Sequence, residues 1–334
     1  MSEQHIPVLK REVIAGLAIQ ANGVYVDATI GRCGHAQAIV QQLGEGGKLI
    51  GFDRDSHAIE LAEKTFASDT RVQLFHSEFS RISKILNEFA EIEKVDGILM
   101  DLGVSSPQLD QAERGFSFMR DGELDMRMDR TKGESAADWL ARVEESDLVK
   151  VLFELGEEKF ARRIARAIVL QRGDTKIEST LQLASIIEQS IPKKDKHKHP
   201  ATRTFQAIRL HVNQELNEVS GALPQAVELL NEGGRLAVIS FHSLEDRIVK
   251  RFMRRLSTPN LPPKNIPVND DDYLTPLRTI GRAIKPSKEE VAENPRSRSS
   301  VLRVAERTEV EYVSSQLGSS KKFSPSKKGG DHAR

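Results

Sequence analysis

Cysteine is all but absent from this chain: Cys33 stands alone among 334 residues. No internal disulfide can form, and a reducing, cytoplasmic setting is expected. Also missing is any apolar run near the ~20 residues that span a bilayer. The opening Met1-Ser-Glu-Gln-His-Ile-Pro7 lacks the basic-then-apolar layout of a secretory signal. No Cys/His cluster suggests zinc, so no metal is expected. Net charge is missing too, with 49 basic residues against 49 acidic ones. That balance argues against a protein that coats nucleic acid non-specifically, yet it permits a local basic face. Lys193, Lys194, Lys196 and Lys198 crowd one stretch, and the tail from Gly318 carries Lys321, Lys322, Lys327, Lys328 and Arg334.

What is present has a rhythm. From Val24 to Asp101 strand-like segments (Val24–Ala28, Lys48–Asp53, Arg71–His76, Val95–Asp101) alternate with helix-like ones (His35–Leu43, Ser56–Phe66, Ser80–Glu91), the pattern of a parallel α/β sheet. Ser56 reads as an N-cap. After Pro107 about a hundred residues show helical spacing only. Leu148, Val151, Leu152 and Leu155 fall on one face, with Gly156 as a stop. Arg162, Arg163 and Arg166 lie off the Phe160-Ile164-Ile168 stripe, and Ser179 with Gln182 resembles a capping box. Strand language returns at Gly234–Ser240. A helix near Leu244–Leu256 follows, then strand candidates about Leu277–Gly281 and Ser300–Glu306. The economical division is an α/β domain in two parts, 1–107 and 213–309, interrupted by a helical insertion at 108–212. A disordered basic tail is expected over 310–334.

The segment Tyr25-Val-Asp-Ala-Thr-Ile-Gly-Arg-Cys-Gly-His35 is an apolar strand running into a glycine-bearing turn, then a helix. Open α/β sheets bind ligands at that edge, and glycines let the backbone approach them. The next strand ends at Asp53, where a carboxylate can accept hydrogen bonds from the ribose of an adenosine-type cofactor. A solvated strand-end acid explains Asp53 alone almost as well. NAD and S-adenosylmethionine both fit so far. The turn leans to the second: Gly31-x-x-Gly34 lacks the G-x-G-x-x-G that meets a pyrophosphate, and Asp27 suits a cation. A tight turn without a ligand stays open. Phe79 would sit beside adenine, or in the core.

The fourth strand ends Gly97-Ile-Leu-Met-Asp101 and continues to Ser105-Ser106-Pro107-Gln108. An exocyclic amine on a base is a weak nucleophile; acceptors for its N–H bonds and an in-line geometry help it react. Asp101 and the Ser105-Ser106-Pro107 turn suit that work, although the usual second proline and aromatic of amino methyltransferases are absent and a plain Ser-Pro turn is an equal reading. Arg203, Arg209 and the nearby lysines could hold phosphates, with Phe205 available for packing or stacking. His242 reads as a structural or substrate-orienting residue, and Cys33 as a small loop residue. A nicotinamide oxidoreductase and a non-catalytic RNA-binding assembly factor stand as alternatives.

Asp-Ala-Thr-Ile-Gly-Arg-Cys-Gly-His (27–35), Asp-Gly-Ile-Leu-Met-Asp-Leu-Gly-Val-Ser-Ser-Pro-Gln-Leu-Asp (96–110), Arg-Gly-Phe-Ser-Phe-Met (114–119) and Leu-Asp-Met-Arg-Met-Asp (124–129) resemble the RsmH (MraW) family. His-Pro-Ala-Thr-Arg-Thr-Phe-Gln-Ala-Ile-Arg (199–209) and Ile-Ser-Phe-His-Ser-Leu-Glu-Asp-Arg-Ile-Val-Lys (239–250) do as well. The similarity runs from His5 to about Arg307. The resemblance implies a Rossmann-like methyltransferase domain with a helical insertion. It also implies S-adenosylmethionine-dependent methylation of N4 of one cytidine in 16S rRNA, near the P site of the small ribosomal subunit. Cofactor contacts would be Cys33, Gly34, His35, Asp53, Phe79, Asp101 and Gln108. Cys33 departs from the family's usual glycine. No membrane or DNA partner is expected, and a monomer or a homodimer is equally compatible.

Overall fold

The computed structural model describes residues 7–192, 199–259, 261, 269 and 273–313. The described residues up to Gly103 and from Glu218 onward form one compact unit, and those of Val104–Asn217 form another.

Along the chain come α1 (Lys10–Leu17), β1 (Val24–Asp27), α2 (Gly34–Val40), β2 (Lys48–Asp53), α3 (Ser56–Thr65), β3 (Val72–His76), α4 (Ile82–Phe89) and β4 (Val95–Asp101). The helical unit holds α5 (Ser106–Asp110), α6 (Ala136–Arg142), α7 (Glu145–Gly156), α8 (Ala161–Asp174), α9 (Thr180–Ser190) and α10 (Thr202–Val212). The chain closes with α11 (Glu215–Leu229), β5 (Leu230–Ser240), α12 (Ser243–Leu256), β6 (Leu277–Thr279), α13 (Lys288–Glu293) and β7 (Val301–Arg307).

The seven strands make one sheet in the order β3-β2-β1-β4-β5-β7-β6. The first five run parallel and β7 lies antiparallel between β5 and β6. Alternate side chains feed two cores, as the two-residue period of a strand requires. Val26, Ile50, Ile98, Met100 and Val238 pack with α4, α11 and α12. Tyr25, Leu49, Leu99, Ala237 and Ile239 pack with α1, α2 and α3. Strand order reverses between β1 and β4, which makes their carboxyl ends the switch point where such sheets bind ligands.

In the helical unit Trp139, Leu148, Leu152, Ile164, Leu183, Ile187, Phe205 and Ile208 share a core. Ser179 and Gln182 form the expected capping box of α9.

Four local expectations need correction. Asp55, not Ser56, caps α3, accepting from the His57 N–H at 3.1 Å. The left-handed stop of α7 is Glu157, whereas Gly156 is a close approach: a Cβ there would lie 2.7 Å from the Arg203 carbonyl. β5 begins at Leu230, four residues early, because Leu230 pairs with Val95 before a register shift at Gly97. The chain stays packed beyond Val310, with Tyr312 buried in the sheet core. The remainder of the expected tail, and Lys193, Lys194, Lys196 and Lys198, lie outside the described residues.

Candidate functional site

β1 ends in Asp27, and the turn that follows is strapped to both neighbouring strands. Ala28 N–H donates to the Leu99 carbonyl of β4 at 2.9 Å, and Ile30 N–H to the Phe52 carbonyl of β2 at 2.8 Å. Gly31 N–H donates to the Asp53 carboxylate at 2.9 Å. These bonds set the turn's path before any ligand arrives. Along it Cys33 takes φ 64°, the left-handed region that favours glycine. A side chain there costs something like 1 kcal/mol. The Cys33 thiol is fully buried, and burial pushes it up to about 11, so it stays protonated at neutral pH and is no nucleophile.

Three carboxylates end three adjacent strands. Asp27 is buried; its Oδ1 accepts from Thr29 N–H at 3.1 Å, while its Oδ2 has no hydrogen-bond partner. Asp101 donates its N–H to the Thr29 hydroxyl at 2.7 Å. Its Oδ1 lacks a hydrogen-bond partner and its Oδ2 lies 3.7 Å from His35 Nε2. Asp53 accepts from Gly31 and, at 2.8 Å, from Asp55 N–H, which leaves one lone pair on each oxygen.

Burial, foremost, pushes Asp27 up to about 7 and Asp53 to about 6. Asp101 rises to about 8, through burial and then the charges of Asp27 and Glu245. A quarter of its side chain is exposed, and solvent softens that rise. No lysine or arginine pairs with these acids among the described residues. An acid-lined edge of this kind suits a cationic ligand with a vicinal diol and repels a pyrophosphate.

Phe79 opens a short 3₁₀ turn after β3, half-buried against the sheet core. In the helical unit Ser105 is the N-cap of α5, with Ser106 and Pro107 in its first turn, all half-buried. Gln108 is buried and its Oε1 accepts from Ser105 N–H at 2.9 Å, so the Ser-Pro turn is a capping box.

The expected RNA-contacting residues fare unevenly. Arg203 is half-buried on α10. Phe205 cannot stack on a base: it is 3% exposed and packs edge-on to Phe118, ring centres 5.0 Å apart. Arg209 is engaged by Glu215 through two hydrogen bonds, at 2.9 and 3.1 Å, so it holds a chain turn in place of a phosphate. His242 caps α12, with its Nδ1 3.4 Å from Glu245 N–H and its Nε2 3.0 Å from the Glu245 carboxylate. Thr29 and Glu245 escaped the sequence reading, although Thr29 joins the Asp27 and Asp101 ends and Glu245 raises Asp101. Their only signals were a hydroxyl two residues past an acid and an acid in a helix's first turn.

The model of the MraW methylase family matches residues 2–308. The chain belongs to the MraW methylase family. Curated relatives named ribosomal RNA small subunit methyltransferase H agree in detail. The Alteromonas mediterranea protein is 56% identical over 306 residues, covering 91% of this chain and 97% of its own. That of Idiomarina loihiensis is 54% identical over 308 residues, covering 92% and 98%. Among solved structures, a SAM-dependent O-methyltransferase from Thermotoga maritima gives a TM-score of 0.41 at 9% identity over 93% of this chain and 70% of that one, too distant to add to the assignment. Membership in a methylase family removes the nicotinamide oxidoreductase from consideration.

Proposed function

We propose that this methyltransferase acts in the cytoplasm on small-subunit rRNA, methylating N4 of one cytidine of the 16S rRNA near the ribosomal P site. The observation that carries the donor half is the acid-lined sheet edge, where Asp27 and Asp101 each bury an oxygen without a hydrogen-bond partner. A buried acid in that state invites a cation. When bound, S-adenosylmethionine supplies a methyl group on a cationic sulfur. Asp27, Cys33, Gly34 and His35 would hold its methionine part, Asp53 the ribose and Phe79 the adenine, with Gln108 a further contact. The acceptor half rests on the family and on relatives named for small-subunit rRNA.

The chain's own residues divide the remaining work. Asp101, whose Oδ1 has no hydrogen-bond partner, accepts an N–H bond of the incoming amine and keeps electron density on its nitrogen. Ser105, Ser106 and Pro107 shape the wall that orients the base, and the amine proton leaves to water. To present N4 the base leaves its stack, at a cost of a few kcal/mol. Arg203 and the helical unit hold the surrounding RNA.

The test is labelled-methyl transfer to free small-subunit rRNA and to immature and mature subunits from a strain lacking the gene, with the label mapped to its atom. Label on one cytidine N4 is expected. Label elsewhere would correct the site, and full RNA affinity without transfer would make the protein a non-catalytic assembly factor.

A further inference from the structure

We infer that the outward face of α12 is a phosphate-tracking surface for the rRNA backbone; the inference rests on the rRNA reading above. Val249, Phe252, Met253 and Leu256 bury one side of this helix in the sheet core. Opposite them Arg247, Lys250, Arg251, Arg254 and Arg255 are all exposed. At 100° per residue these five cations fall within an arc of about 140°, in rungs about 5.4 Å apart along the axis. One face of one helix therefore presents a continuous basic stripe.

Neither acid of the helix neutralises Lys250, Arg251 or Arg254. Its two acids, Glu245 and Asp246, precede the stripe and are occupied elsewhere. Glu245 is 1% exposed and accepts from Phe241 N–H at 2.9 Å. Asp246 takes two hydrogen bonds from Arg303 of β7, at 2.7 and 3.0 Å. From the neighbouring strands, Glu306 of β7 is already paired with Arg235 at 2.6 Å and with Arg278 of β6. Arg255 lies over the Phe252 ring at 6.0 Å. Lys250, Arg251 and Arg254 make no ion pair among the described residues. Arg127, Arg209 and Arg303, by contrast, are each matched to a carboxylate.

Cations in a helix's last turn answer its dipole, which explains Arg254 and Arg255. The dipole gives no reason for Lys250 and Arg251. An anionic membrane is a poor partner, because interfacial helices bury their apolar face in lipid and this one has buried it in protein. A polyanion with regularly spaced charges is the better match. The location supports it as well: α12 leaves the sheet edge at which Asp27 and Asp101 end, and Glu245 at its base is close enough to raise Asp101. Its capped, Arg303-anchored first turn offers the stripe on a rigid element.

The test uses the full chain and a small-subunit rRNA transcript, with affinity measured across a salt series. The variant K250Q/R251Q/R254Q is expected to flatten the slope of log Kd against log salt by roughly 2 and to weaken binding roughly 10- to 100-fold at physiological salt. KM for RNA should rise, with kcat, cofactor affinity and Tm held. The charge-keeping R251K/R254K should restore the parent slope, and K10Q/K48Q/K64Q, which removes the same charge elsewhere, should leave it alone. A parent-like slope in the α12 triple variant, or an equal loss in the scattered one, overturns the inference. So does loss of binding to phosphatidylserine vesicles with RNA affinity intact. If the parent itself neither binds nor methylates rRNA, the rRNA reading fails; if it does both and the triple variant matches it, only the α12 surface fails.

Discussion

Buried aspartates occur in both units of this protein and are treated in opposite ways. In the helical unit Asp125 is fully buried, and burial alone would raise it, but Arg127 and Arg130 at 2.7 and 3.0 Å hold it below the ordinary carboxylate range. Asp129 is treated likewise by Thr131 and Lys132. At the sheet edge Asp27, Asp53 and Asp101 are raised and form no ion pair with a lysine or arginine among the described residues, with Arg54 only the last of the influences on Asp53. The first arrangement is complete within the chain and serves the fold. Under the proposed function the second is completed by a cationic ligand. Under that proposal the same residue type is structural where its charge is answered internally and a ligand site where it is left open.

Ways to break this contrast follow, from the largest expected effect to the smallest. Asp125→Ala should deprive Arg127 of its carboxylate, while Arg130 keeps Glu123, and cost about 3–5 kcal/mol of stability in urea unfolding. Asp101→Asn should lower methyl transfer on the order of 100- to 1,000-fold in single-turnover assays while rRNA affinity holds within about twofold. Asp27→Asn should behave oppositely to Asp125→Ala: it removes an unanswered buried charge, so the ligand-free protein should keep or gain up to about 1 kcal/mol while cofactor affinity falls roughly tenfold. A loss of stability like that of Asp125→Ala would mean that Asp27 is structural.

The pH dependence sharpens the same point. The folded protein holds protons on the sheet-edge acids to about 6, 7 and 8, whereas their ordinary value is 3.8. Between those limits the native state binds more protons than the unfolded one, so stability decreases as pH rises through 6 to 8. Ligand-free Tm should therefore climb as pH falls from 8.5 to 6. Affinity for the cationic cofactor should move the other way, weakening as the carboxylates protonate. Calorimetry with and without cofactor reads both. Last, Cys33→Gly should leave stability within about 1 kcal/mol and cofactor affinity unchanged: relief at φ 64° offsets the extra freedom of the unfolded chain.

Much of this was legible in the sequence because it is local or periodic. The strands β1 to β4, the helical stretch after Pro107 and the capping box at Ser179 follow from apolar spacing and cap chemistry. The errors share a cause as well. Gly156 looked like a helix stop, but the glycine answers the Arg203 backbone of another helix. Phe205 and Arg209 looked available to RNA, and only their packing against Phe118 and Glu215 shows that they are not. The basic stripe of α12 passed unnoticed, since five cations in a row of residues mean little until the helix face and its missing acids are known.

By itself, then, the sequence determined the order of elements, the Asp27–His35 turn and the family, because these depend on residue types at fixed spacings along one chain. The tertiary structure alone decided which charges are answered. Asp27 and Asp101 are 74 residues apart, and the parallel pairing of β1 with β4 makes them neighbours. Whether a buried acid meets an arginine or an open edge depends on what the fold brings within a few ångströms, where burial strengthens every charge.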